Sequence, residues 1–148
     1  MRISVFGLGY VGAVSAACLA ADGHTVVGVD NNPVKADLLN QGRSPVIEAG
    51  LGELISAGVR AGRLRATTDC DAAVAGTDLA FVCVGTPSKG NGSLDLGYLR
   101  RVADDIGQAI RRQGSPVVVV VRSTVLPGTT RQVLLPDLER AAGRPVAV

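Results

Sequence analysis

Three glycines in seven positions, within the segment FGLGYVG, restrict the possible folds of this chain more than any other feature. The segment follows the apolar alternation of Ile3 and Val5 and precedes an alanine-rich helical stretch, so Gly7-x-Gly9-x-x-Gly12 lies between a predicted strand and a predicted helix. There, Gly7 permits a tight turn, Gly9 lets the backbone approach a pyrophosphate, and Gly12 lets the helix pack closely on the strand. The pattern predicts a βα unit whose helix begins beside phosphate groups.

Short β-branched runs alternate with helical stretches along the rest of the chain. Strands are predicted at 3–6, 25–29, 63–67, 79–84 and 117–121, and helices at 11–21, 33–40, 51–61, 69–75, 95–112 and 129–142. The strands at 79–84 and 117–121 are nearly continuous in apolar residues, which is typical of strands buried on both faces. We therefore expect one α/β dinucleotide-binding domain over 1–148, with a doubly wound, Rossmann-type, mainly parallel sheet and helices on both faces. Residues 145–148 have the character of a further strand.

Composition excludes several classes of function. The 148 residues suffice for one domain with a core, and 47% are apolar. The net charge is +2, the basic residues are scattered and aromatic residues make up 3%, so no nucleic-acid partner is expected. The apolar run at 116–121 is too short to span a bilayer, and the N-terminus lacks the apolar core of a signal peptide. We expect no membrane partner and a cytoplasmic location.

The cysteines and the single histidine are not predicted to be catalytic or to bind a metal. Cys18, Cys70 and Cys83 are odd in number and widely spaced, so they indicate neither a disulfide framework nor a zinc site, and no metal site is predicted. A reactive thiol is the alternative, but Cys83 lies in an apolar strand pattern that favours a buried free cysteine. His24 lies between the first helix and the second strand, away from the strand ends expected to form the site, and is not predicted to act as a base.

Asp30 strengthens the dinucleotide interpretation of the glycine segment. It lies 18 residues after Gly12, at the end of the second predicted strand, where a carboxylate can accept hydrogen bonds from both adenosine ribose hydroxyls and repel a 2′-phosphate. No Arg occupies the next three positions, so NAD is favoured over NADP. The N–H groups of Tyr10 and Val11 are expected to face the phosphates. Lys35 either approaches the adenosine or is a surface cation.

Two later strands end in small hydroxyl residues. The segments VGTP at 84–87 and RSTV at 122–125 place Thr86 and Thr124 at the sheet edge where ligands bind in open parallel sheets. Capping of a helix is the commoner use of Ser and Thr. Methyltransferases also have similar glycine-rich turns, so a methyltransferase is an alternative function that these residues allow.

Five segments resemble the N-terminal domain of the UDP-glucose/GDP-mannose dehydrogenase family: FGLGYVG, SPVIEAGLGEL, AGRLRATTD, FVCVGTPSKGNGSLDLGYL and VVVRSTVLPGTT. The resemblance implies NAD-dependent oxidation of the C6 alcohol of a nucleotide sugar to a carboxylate by two hydride transfers. CVGTPSKGNGSLDLGY and RSTVLPGT favour the members that oxidise GDP-mannose, yielding GDP-mannuronate for alginate. The alternative is a UDP-glucose-oxidising member. Those enzymes more often have Lys at the position of Arg122, and Pro-Val-Gly where this chain has Leu126-Pro127-Gly128.

By motif match, the resemblance assigns three pairs of residues to NAD: Tyr10 and Val11 to the pyrophosphate, Asp30 and Lys35 to the adenosine ribose, and Thr86 and Thr124 to the nicotinamide half. Thr124 would also help to position a water molecule or the reacting alcohol. In this family the nucleophilic Cys and its Lys and Asp partners lie beyond the point where this chain ends. We therefore expect a cofactor half that is inactive alone, belonging to a homo-oligomeric enzyme. A stand-alone NAD-binding module is the alternative.

Overall fold

The computed structural model describes residues 1–114 and 116–148. Helices and strands alternate as predicted: β1 (Arg2–Phe6), α1 (Tyr10–Ala21), β2 (Thr25–Val29), α2 (Pro33–Asn40), α3 (Leu51–Arg60), β3 (Leu64–Thr67), α4 (Cys70–Val74), β4 (Leu79–Val82), α5 (Gly97–Gln113), β5 (Val118–Val121), a π-helical turn (Thr130–Leu134) and α6 (Leu135–Ala142). Pro33 begins α2, where its fixed φ suits the first helical turn, and Asn32 caps that helix by accepting from the N–H of Val34.

The five strands form one parallel sheet in the order β3-β2-β1-β4-β5. The doubly wound fold predicted from the sequence is thus confirmed. The chain builds outward from β1 through β2 to β3, then returns to place β4 on the other side of β1. The crevice beyond the carboxyl ends of β1 and β4 is therefore the switch point at which sheets of this type bind ligands.

Alternation along β1 supplies both layers of the core. Ile3 and Val5 are buried against α1, α2 and α3, whereas Phe6 is buried in the cluster that includes α4, α5 and α6. Small residues let α1 lie close to the sheet, since its buried positions are Gly12, Ala13, Ala16, Ala17 and Ala20. Because α1 lies close to the sheet, the glycine turn that precedes it also lies close to the end of β1.

Some boundaries differ from the sequence prediction. Helix α5 begins at Gly97 rather than residue 95, because the Asp95 carboxylate accepts the N–H of Gly97 at 2.9 Å and the Asp95 N–H donates to the Pro87 carbonyl at 2.7 Å. Strand β4 ends at Val82, two residues early, and the last predicted helix starts as a π-helical turn. Near the C-terminus, Ala147 forms a parallel bridge beside β5. Among the described residues, no helix has the length and apolar character needed to cross a membrane.

Candidate functional site

The turn between β1 and α1 is closely packed at two of its glycines. Gly7 has a φ of +95°, a conformation that side chains disfavour, and its N–H donates to the Val29 carbonyl at 2.7 Å. A Cβ on Gly12 would lie 1.7 Å from the Gly7 carbonyl oxygen. Because no adjustment of a side chain relieves a clash with backbone, this position accepts only glycine. The first turn of α1 therefore lies directly against the turn that precedes it.

Gly9 differs from its two neighbours, because a Cβ there would meet no atom within 4 Å. Its φ of −79° is also available to any residue, so nothing in the protein's own packing requires a glycine. The first bond within α1 runs from the Ala13 N–H to the Gly9 carbonyl, and no side chain caps this end. The N–H groups of Tyr10 and Val11 thus have no partner within the helix. Open space and uncapped amides together suit the approach of an anion.

Asp30 is buried at the end of β2 and joins three parts of the site. One carboxylate oxygen accepts the N–H of Leu8 at 2.8 Å and lies 3.2 Å from the Lys35 ammonium, while the other accepts the N–H of Asn32 at 3.0 Å. Lys35 is therefore the ion-pair partner of Asp30 rather than an isolated surface cation. The contact with Leu8 was not predicted, because no local pattern relates a carboxylate to an amide 22 residues earlier.

The loops after β4 and β5 are adjacent, as their strand-end positions predicted. The Thr86 hydroxyl donates to the Thr124 carbonyl at 2.7 Å, and the Ser123 hydroxyl donates to the Val84 carbonyl at 2.7 Å. Thr86 is half-buried and Thr124 is exposed. The capping role weighed for these residues does not describe the bonds made by Thr86 and Ser123, which connect two loops instead.

A cavity of about 330 Å³ opens at the switch point. Gly7, Gly9, Asp30 and Lys35 line it, but Tyr10, Val11, Gly12, Thr86 and Thr124 do not contribute to its wall. Sequence reasoning missed the far wall, formed by Thr68, Cys70, Tyr98, Arg101, Val102 and Asp105. The sequence signal for part of that wall is the predicted helix at 95–112, which follows the predicted strand at 79–84. The cavity therefore begins at the glycine turn, passes Asp30 and reaches α4 and α5.

Two of the cysteines line this cavity without being activated. Burial raises the pKa of the Cys83 thiol to about 11. Burial, followed by the nearby carboxylate of Asp105, raises the pKa of the Cys70 thiol to about 12. Both thiols are consequently neutral at neutral pH and lack the thiolate form that attacks an electrophile. Burial and the neighbouring Asp104 also raise the pKa of Asp105.

Within 1–114 and 116–148, no three His, Cys, Asp or Glu side chains gather in a way that could hold a metal ion. His24 precedes β2, and its Nδ1 lies 3.4 Å from the N-terminal ammonium. Since residues that precede parallel strands lie at the amino edge of the sheet, His24 is at the edge opposite the glycine turn.

Comparison with known proteins agrees with the dinucleotide site that the glycine turn and Asp30 indicate. The sequence profile described as "UDP-glucose/GDP-mannose dehydrogenase family, NAD binding domain" matches residues 1–146. A GDP-mannose 6-dehydrogenase of Pseudomonas aeruginosa is 55% identical over 148 residues, which are 100% of this chain and 34% of that protein. A UDP-glucose 6-dehydrogenase of Haloferax volcanii is 42% identical over 146 residues, or 99% of this chain and 34% of that protein.

A solved structure gives the same result for the fold. The crystal structure of a ternary complex of GDP-mannose dehydrogenase from Pseudomonas aeruginosa superposes with a TM-score of 0.96 at 56% identity, covering 98% of this chain and 33% of that one. The chain thus spans about a third of the length of the curated relatives it matches.

Proposed function

The chain belongs to the UDP-glucose/GDP-mannose dehydrogenase family and carries its NAD-binding domain, and from that premise we propose that it is the cofactor half of a GDP-mannose 6-dehydrogenase. The observation that carries the choice of sugar is the higher identity to GDP-mannose enzymes than to UDP-glucose enzymes. The segment from Arg122 to Gly128 supports the same choice, because it departs from the pattern of UDP-glucose enzymes.

The residues at the switch point fit a dinucleotide. Open space in front of Gly9 and the uncapped start of α1 suit the pyrophosphate, which the N–H groups of Tyr10 and Val11 would bind. Asp30 would accept hydrogen bonds from the adenosine ribose, with Lys35 beside it. A carboxylate offers about four acceptor positions and three are already used by protein donors, so one position is free for a first ribose hydroxyl. A second ribose hydroxyl would displace or share one of the existing bonds.

Conversion of a primary alcohol to a carboxylate removes two hydrides from the C6 carbon in succession, and one water molecule supplies the second carboxylate oxygen. NAD, when bound, would supply the hydride acceptor, and each turnover would use two NAD molecules, one for each hydride. On this chain, Thr86 and Thr124 would hold the nicotinamide half, and Thr124 would also orient the reacting alcohol or a water molecule. Neither Cys70 nor Cys83 qualifies as the nucleophile of a covalent step, because burial keeps both thiols protonated. The third cysteine, Cys18, does not line the cavity. We therefore expect the 148-residue chain to bind NAD without oxidising GDP-mannose.

In the whole enzyme, the partners we propose are GDP-mannose as substrate and further copies of the same protein. The choice of sugar is tested on a full-length enzyme that contains this chain, by comparing kcat/KM for GDP-mannose and UDP-glucose. A preference for UDP-glucose would overturn the assignment of the sugar while leaving the NAD site untouched.

The glycine turn offers a matched pair of variants for testing the cofactor site. Gly9→Ala places a methyl group in open space, so we expect a folded protein with an unchanged melting temperature whose affinity for NAD falls at least about tenfold, since the methyl occupies the approach to the phosphates. Gly12→Ala forces a Cβ onto the Gly7 carbonyl and should destabilise the fold itself by about 3 kcal/mol or more. Calorimetric titration and thermal unfolding separate the two effects.

NADP serves as the control ligand for the same titration. It should bind the wild-type chain at least about tenfold more weakly than NAD, because its 2′-phosphate would approach the Asp30 carboxylate. Asp30→Ala is a poorer probe, since it also removes the acceptor of the Leu8 N–H and so disturbs the turn. A folded wild-type chain that binds neither nucleotide, or a Gly9→Ala variant with undiminished affinity for NAD, would contradict the site.

A further inference from the structure

The loops after β4 and β5 continue together beyond the end of the sheet. Strand pairing ends at Val82 and Val121, after which the N–H groups of Arg122 and Ser123 both donate to the Val82 carbonyl, at 2.9 and 3.2 Å. Farther along, the connections come from side chains: Ser123 to the Val84 carbonyl, and Thr86 to the Thr124 carbonyl. We call these two bonds the hydroxyl clasp. Each loop donates one hydrogen bond and accepts one, so neither loop can shift without breaking both.

The direction of each bond in the clasp is fixed by chemistry. A carbonyl oxygen can only accept, so the hydroxyls of Thr86 and Ser123 must both be donors. The hydrogen of Thr86 is thereby committed to the Thr124 carbonyl, 2.7 Å away. Its oxygen retains lone pairs but has no further hydrogen to give. A ligand group that meets Thr86 must consequently be a hydrogen-bond donor.

Resting on the proposed function, we propose that Ser123 is a positioning residue for the nicotinamide end of the cofactor site. Ser123 anchors the Val84 carbonyl, two residues before Thr86, and is itself adjacent in sequence to Thr124. The clasp therefore presents Thr86 as an acceptor. The carboxamide N–H is the only hydrogen-bond donor on the nicotinamide ring, so we assign that N–H to Thr86. Neither Ser123 nor Thr86 needs to change its bonding when the ligand arrives, so the orientation of the acceptor is set in advance.

Three ligands isolate this contribution in calorimetric titrations of the chain. NAD carries the carboxamide, nicotinic acid adenine dinucleotide replaces it with a carboxylate that has no N–H, and ADP-ribose lacks the ring. We expect the wild-type chain to bind NAD more tightly than the other two. In Ser123→Ala, the affinity for NAD should fall by about fivefold, the equivalent of one neutral hydrogen bond, while the affinity for ADP-ribose stays the same.

Thr77→Val is the matched control. The Thr77 hydroxyl also donates to a backbone carbonyl, that of Ala73, at the same 2.7 Å, but it is buried just before β4 at the opposite edge of the sheet. We expect this variant to lose thermal stability and to keep the wild-type ratio of NAD to ADP-ribose affinity. Ser123→Thr retains a hydroxyl and should also keep that ratio, and it remains informative if Ser123→Ala does not fold.

Several outcomes would overturn the proposal. Equal losses of NAD and ADP-ribose affinity in Ser123→Ala would mean that the clasp has only a structural role. A wild-type chain that binds ADP-ribose as tightly as NAD would mean that these loops do not hold the nicotinamide, although the adenosine part of the proposed function would stand. A folded wild-type chain that binds none of the three ligands would overturn both the inference and the proposed function.

Discussion

The carboxylate of Asp30 has a structural role as well as a proposed role in recognising ribose. It accepts the Leu8 N–H inside the glycine turn and the Asn32 N–H that precedes α2, so it joins the two loops expected to hold the adenosine and the pyrophosphate. The Lys35 ammonium lies 3.2 Å away and keeps a third of its side-chain surface exposed. A cation that is both paired and accessible can change partner when the charge beside it changes.

The Asp30 and Lys35 pair yields a prediction about cofactor choice. Asp30→Asn removes the charge that repels a 2′-phosphate and frees Lys35 to pair with that phosphate, so the preference for NAD over NADP should shrink by on the order of tenfold, about 1.4 kcal/mol. The double variant Asp30→Asn/Lys35→Met should lose the gain in NADP affinity. Calorimetry at low and high salt checks both, since the new pair would weaken with ionic strength. Equal NADP affinities in the single and double variants would refute this role of Lys35.

The start of β4 depends on a carboxylate at the amino edge of the sheet. Asp78 accepts the N–H of Arg2 at 2.8 Å, and its own N–H donates to the Arg2 carbonyl at 2.9 Å, so the first residue of β1 is held on both sides. The hydrogen bond from the Arg2 N–H, with the Arg2 guanidinium assisting, lowers the pKa of Asp78 below its ordinary value.

This lowered pKa gives stability a definite dependence on pH. Because the folded-state pKa of Asp78 lies below the unfolded value, its contribution is fully present above about pH 4 and is lost as the pH falls through the folded-state pKa. Asp78→Asn should therefore be less stable than the wild type at pH 7, with the two proteins converging in strongly acid solution. Urea unfolding at several pH values measures this difference. A gap between wild type and variant that is independent of pH would show that the charge of Asp78 does not contribute.

At the level of the whole molecule, the reactivity of the three cysteine thiols depends on whether the chain is folded. Cys18 is exposed, whereas Cys70 and Cys83 lie in the wall of the cavity between the sheet and its helices. The raised pKa values of about 12 and about 11 leave very little thiolate on either half-buried residue. Cys70 and Cys83 are therefore expected to react slowly with alkylating reagents while the protein is folded.

Alkylation with iodoacetamide at pH 8, followed by peptide mass spectrometry, measures this protection. We expect Cys18, which is exposed, to react first and Cys70 and Cys83 to react at least about tenfold more slowly, since fewer than about one in a hundred of the Cys70 and Cys83 thiols is ionised at that pH. In denaturant all three should react at similar rates. Rapid modification of Cys83 in the folded protein would contradict the burial and neutrality assigned to it.

The order of helices and strands, the parallel sheet and the position of the glycine turn could all be predicted from the sequence. Each rests on a signal contained within a few neighbouring residues, such as the alternation in 3–6 or the absence of side chains at Gly7 and Gly12. Asp30 could be placed at the end of β2 for the same reason. The start of α5 was mispredicted by two residues, because the Asp95 side chain satisfies the Gly97 N–H before the helix begins.

Other features were decided by tertiary structure alone. The strand order β3-β2-β1-β4-β5 depends on which faces bury together, not on any single segment. The bonds from Leu8 to Asp30, from Ser123 to Val84 and from Thr86 to Thr124 span 22, 39 and 38 residues. Local sequence specifies backbone conformation and periodicity, whereas a hydrogen bond between distant residues exists only once the sheet has brought the two loops together. The sequence by itself therefore determined the class of fold and the kind of ligand, and the packed sheet determined how the site is held in place.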